Sequence, residues 1–130
     1  MIRCLLIACL GIVSLSALAC DLQDATRLPL DDEVSLYYRV TSPPVVVAKH
    51  FAMQFLFCRD RQPLSVDRFK LDASMPAHGH GMNYRASIVS QDEGLIEARG
   101  LMFHMSGKWQ LKLDFSVDGQ GRQVRLDYQI

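Results

Sequence analysis

From Trp109 to Val117 every second residue is large and apolar: Trp109, Leu111, Leu113, Phe115 and Val117 alternate with Gln110, Lys112, Asp114 and Ser116. A strict period of two describes a β-strand with one face in a core and the other in water. A helix would scatter the same residues around its axis. The pattern recurs along the chain. Glu33 to Thr41 carries Val34, Leu36, Tyr38 and Val40 on one face and ends at Pro43-Pro44. His50 to Cys58 puts Phe51, Met53, Phe55 and Phe57 on one face, with Ala52, Gln54, Leu56 and Cys58 on the other. Val66 to Asp72 turns Phe69 and Leu71 inward, Tyr84, Ala86 and Ile88 alternate, and Leu95 to Met105 reads as one long strand. A last strand carries Val124, Leu126, Tyr128 and Ile130. Turn signals separate these runs at Arg59–Pro63, Ser90–Gly94, Ser106-Gly107 and Gly119–Gly121. About seven short strands with no amphipathic helix predict an all-β fold, an immunoglobulin-like antiparallel β-sandwich. Trp109 would fill the space between its sheets.

Ahead of this domain stands a leader. Arg3 is followed by an apolar run from Cys4 to Leu15, broken only by Gly11 and Ser14, and then by Ser16-Ala17-Leu18-Ala19. One positive charge, a short apolar core and a small-x-small ending make residues 1–19 a secretory signal peptide rather than a membrane span. Asp21, Asp24, Asp31, Asp32 and Glu33 mark a change of composition after it. The expected organisation is therefore a signal peptide over 1–19, an N-terminal segment over 20–32 and the sandwich over 33–130, in a periplasmic or otherwise extracytoplasmic compartment. Cys4 and Cys9 leave with the leader, so the mature chain keeps Cys20 and Cys58. In an oxidising space these two tend to pair. Ala17-Leu18-Ala19-Cys20 also resembles a bacterial lipoprotein box, though the usual Leu sits one place further from the Cys. A lipid anchor at Cys20 and a Cys20–Cys58 disulfide need the same sulfur, so they are alternatives.

Without Arg3 the chain has 14 − 1 = 13 Lys and Arg against 14 Asp and Glu, with no basic run, which excludes a nucleic-acid surface. There is no nucleophile elbow or paired acid motif, and the chain reads as a non-enzyme. What stands out is soft-ligand clustering. Of the nine Met and His residues after the initiator, seven fall in two stretches, Met75-Pro76-Ala77-His78-Gly79-His80-Gly81-Met82 and Met102-Phe103-His104-Met105. Thioether and imidazole suit soft and borderline metals, Cu(I) above all, while carboxylates, which suit Mg²⁺ and Ca²⁺, are absent from both stretches. His78, His80 and His104 are the leading candidate ligands, with Met82 and Met102 next. Cu(I) would accept three or four of them, and Cu(II) would favour the imidazoles. Taken singly each has an ordinary explanation: a Gly-rich loop, a methionine filling a core gap, a histidine bonded across strands. His50 and Met53, on the Phe-rich strand, are assigned to structure. The joint pattern points to an exported protein that buffers or delivers copper, exchanging the ion with another envelope protein. The alternative is a non-metal interaction module presenting the Met75–Met82 loop to an envelope partner.

Asp72-Ala73, Met75-Pro76, His78 and His80-Gly81-Met82, followed by Gly100-Leu101, Phe103-His104-Met105, Gly107, Trp109 and Leu111, resemble the YtkA-like/FixH-like group of exported bacterial β-sandwich domains. The resemblance runs from Glu33 to Asp118 and is specific at these two segments. It implies an immunoglobulin-like sandwich associated with copper handling or cytochrome oxidase maturation. FixH-type members carry a transmembrane anchor beside the domain, where this chain has a cleavable leader.

Overall fold

The structure, a computed structural model, describes residues 20–91 and 94–130; the signal-peptide reading of 1–19 lies outside them. Its strands are β1 (Thr26–Pro29), β2 (Val34–Val40), β3 (His50–Arg59), β4 (Gln62–Pro63), β5 (Asp67–Met75), β6 (His80–Gly81), β7 (Ser87–Ser90), β8 (Leu95–Met102), β9 (Lys108–Val117) and β10 (Gln120–Gln129). One sheet runs β1-β2-β3-β8-β7, with β4 pairing the end of β3; the other runs β10-β9-β5-β6. Every strand pair is antiparallel. This is the immunoglobulin-like antiparallel β-sandwich that the alternation predicts.

The inward faces are those read from the period of two. Trp109, Leu111, Leu113, Phe115 and Val117 on β9 meet Phe51, Met53, Phe55 and Phe57 on β3 in a single buried cluster. Leu36, Ala73, Met75, Ile96, Ala98 and Leu101 complete it from both sheets. Burying a large apolar side chain contributes about 1.5–3 kcal/mol relative to leaving it in water, so this cluster dominates the favourable side of folding.

Three local features differ from the expectation. The segment over 20–32 contains a strand, because Thr26–Pro29 pairs in register with Tyr38–Ser35 of β2. Its four residues are too few to show a period, and only Leu28 among them packs against the core. β5 runs on to Met75, so Ala73 and Met75 belong to the core rather than to the loop. β8 stops at Met102 instead of Met105. A bulge at Gly100, with φ +78°, shifts the register between Phe51/Leu101 and Ala52/Arg99.

Cys20 and Cys58 form a disulfide. It ties the N-terminal segment to the end of β3, where Cys58 lies on the face opposite Phe57, and a backbone bond from Cys20 N to Arg61 O (3.3 Å) lies beside it.

Candidate metal centre

The first Met/His stretch is a tight hairpin, not an extended run. Met75 ends β5 fully buried. His78 N and Gly79 N both donate to Met75 O, at 3.1 and 3.0 Å, and the chain returns as β6 with His80 opposite Met75 and Gly81 opposite Ser74. Gly79 takes φ +64°, a left-handed conformation that glycine adopts without steric cost. The turn brings the His78 and His80 rings to 6.2 Å between centroids, with planes 18° apart.

The second stretch begins where β8 leaves its sheet. Phe103 drops into the core and stacks on Trp109, 4.7 Å between centroids. Phe103 O accepts a hydrogen bond from Ala48 N at 2.8 Å, and the Trp109 indole Nε1 donates to Met105 O at 3.0 Å. These bonds hold the turn between β8 and β9 and fix the backbone on either side of His104. The His104 ring lies edge-on to Trp109 at 5.2 Å and edge-on to His80 at 6.0 Å.

His78, His80 and His104 therefore meet at one end of the sandwich as a chain of neighbouring rings, with His80 in the middle. Two imidazoles bound to one tetrahedral ion through nitrogens at about 2.0–2.1 Å place their centres roughly 5 Å apart, so the observed spacings of 6.2 and 6.0 Å bring the rings near one another but wider than a shared ion requires. The arrangement is open rather than closed: among the described residues no three His, Cys, Asp or Glu side chains form a ready-made metal cage. His78 and His80 are solvent-exposed, whereas His104 is partly buried. The Nδ1 atom of His104 is buried and has no hydrogen-bond partner among the described residues. Leaving such a nitrogen unsatisfied costs about 1–3 kcal/mol, so the ring sits where a partner for that atom would stabilise it.

The sulfur candidates take other places. Met82 packs against the core and, with Phe69, Leu71 and Tyr84, lines a cleft between β5 and the 82–88 crossover; its backbone N donates to Ala73 O at 2.9 Å. Met105 also packs against the core. Met102 stands opposite His50 in the β3–β8 register, next to a Phe51/Leu101 pair that points inward. His50, assigned to structure on sequence grounds, is exposed at the first position of β3, and its ring is edge-on to Tyr84 at 5.0 Å. The period of two holds the signal for this, since it puts His50 on the face opposite Phe51.

No family model matches the chain, and no curated protein matches it. Among solved structures it is similar to a DUF4426 family protein from Pseudomonas aeruginosa PAO1, with a TM-score of 0.62 at 10% identity over 85% of this chain and 97% of that one. It is also similar to the GAE domain of GGA2p from Saccharomyces cerevisiae, with a TM-score of 0.42 at 11% identity over 82% of this chain and 96% of that one. The DUF4426 likeness supports the sandwich fold alone.

Proposed function

We propose that this protein is an exported copper-binding protein that buffers or delivers the ion, without catalysing a reaction, through His78, His80 and His104. The observation that carries this reading is the meeting of a two-imidazole hairpin with a third imidazole whose Nδ1 is buried and unsatisfied. Three imidazoles are borderline donors, which suit copper and its first-row neighbours over Mg²⁺ or Ca²⁺. The Cys20–Cys58 disulfide supports an oxidising compartment, and it occupies the sulfur that a lipid anchor at Cys20 would need. The resemblance to YtkA-like and FixH-like domains supports the same role, with an envelope protein as copper donor or acceptor.

Titration of the purified protein with Cu(I) and with Cu(II) against a competing chelator tests it. Replacing His78, His80 and His104 together by Ala should weaken the tightest site by at least tenfold, a loss of about 1.4 kcal/mol. Unchanged affinity in that triple variant would refute the assignment.

A non-metal interaction module is the second reading, and one observation favours it. β6 covers β5 only at Ser74 and Met75, so the stretch of β5 before them has no strand partner on that side among the described residues and would accept a partner strand. A bulge between Asp67 and Lys70, with Arg68 and Lys70 exposed, blunts that edge in the way that sheet proteins resist strand addition. The copper reading is therefore the stronger one.

A further inference from the structure

We propose a second soft-metal position, formed by the His50 imidazole and the Met102 thioether on the outer face of the larger sheet. It uses none of the side chains of the three-histidine cluster, so it stands or falls independently of the reading above.

The argument begins with register. His50 and Met102 are direct cross-strand partners on β3 and β8. Directly opposite residues of an antiparallel pair project to the same face, with Cβ atoms about 4.5–5.5 Å apart. The next pair along, Phe51 and Leu101, is buried between the sheets, so His50 and Met102 face outward. His50 is exposed, and Met102 is half-buried without belonging to the apolar residues that pack on the core. Core filling, the usual employment of a strand methionine, therefore does not account for Met102.

Tyr84 completes the position. β7 follows β8 in the sheet order, and Tyr84 lies in the crossover that leads into β7. Its ring meets the His50 ring edge-on at 5.0 Å and leaves Tyr84 49% exposed. The contact restrains the imidazole on the face of the sheet that Met102 shares by register. No carboxylate belongs to the trio, so hard cations find no ligand there, while one thioether and one imidazole suit the low coordination that Cu(I) accepts. Only Phe103 separates Met102 from His104, which limits the backbone distance between the two positions to about 7 Å. An ion held at His50 and Met102 is thus within a short step of the three-histidine cluster.

The probe is Cu(I), with Ag(I) as its redox-inert substitute for NMR. The wild-type protein should take up a second, weaker equivalent that Met102→Leu and His50→Gln each abolish while the tighter equivalent remains. Leucine conserves the volume of Met102, and both sites lie on an outer face, so neither change disturbs the core. In the His78→Ala/His80→Ala/His104→Ala variant, Ag(I) should still shift the Met102 ε-methyl resonance. If that resonance stays still while the Met82 or Met105 methyl moves, or if Met102→Leu leaves stoichiometry and affinity unchanged, Met102 holds no metal and the proposal fails. Uptake abolished by Met102→Leu but untouched by the triple histidine variant would uphold this position and sink the three-histidine reading.

Discussion

Asp31 shows how much a single carboxylate can hold at the surface of a sandwich. It accepts backbone hydrogen bonds from Glu33 N at 2.9 Å and Val34 N at 2.6 Å, closing the turn between β1 and β2. Its other oxygen takes Arg122 of β10, so it also joins the two sheets. The bond from Val34 N, then Arg122, lowers its pKa from 3.8 to about 2. A carboxylate with a depressed native pKa stabilises the fold above its unfolded value, and the contribution fades as pH falls through the native value. The window is therefore between about pH 4 and pH 2. Asp31→Asn should flatten, in that window, the fall of the urea midpoint with pH; Glu97, Asp114 and Asp127, also held low by hydrogen bonds, keep a residual slope. An identical slope in wild type and variant would show that Asp31 carries none of the acid sensitivity. His104 is the opposite case at the same scale: its neighbours are an indole and an imidazole, and its buried Nδ1 has no hydrogen-bond partner among the described residues.

At the scale of elements, two turns decide whether the candidate ligands meet. The β5–β6 hairpin lifts His78 and His80 off the end of one sheet, and the β8–β9 turn presents His104 from the other. Each is held by hydrogen bonds to its own carbonyls, the first from backbone N–H groups to Met75 O, the second from Ala48 N to Phe103 O and from the Trp109 indole to Met105 O. Gly79→Ala isolates the first turn, since a methyl there would meet nothing within 4 Å and the cost is conformational alone. A left-handed non-glycine residue costs about 1–2 kcal/mol, so the variant should lose roughly that much in denaturant unfolding. It should also weaken copper binding, because relaxing φ moves His80 away from His104. Loss of stability with copper affinity intact would mean that the hairpin does not position a ligand. Neither turn was fully legible in the sequence. The HGHG spacing does not say by itself that the chain folds back after Gly79, pairing His80 with Met75 and sending Met82 toward the core.

For the molecule as a whole, the Cys20–Cys58 bond closes a loop with a sequence separation of 38. Chain-entropy reasoning assigns such a crosslink about 3–4 kcal/mol through the unfolded state. Reduction, or Cys20→Ser with Cys58→Ser, should lower stability by about that amount, read as a shift in the denaturant midpoint; no shift would mean that the N-terminal segment is not part of the cooperative unit. The strands and their inward faces could be read directly from the chain, because alternation is local and a buried face demands it: β9 and β3 were fully specified by their own residues. The short β1 could not, since four residues on a sheet edge owe their conformation to β2 rather than to themselves. The ligand types were equally plain from composition, but their partners were not. Which imidazole lies beside which, and that Met102 faces His50 rather than His104, depends on strand register, a bulge at Gly100 and two turns. The register of β3 on β8 joins residues far apart in sequence, and the meeting of His80 with His104 depends on the packing of one sheet against the other, so neither could be read from a local pattern.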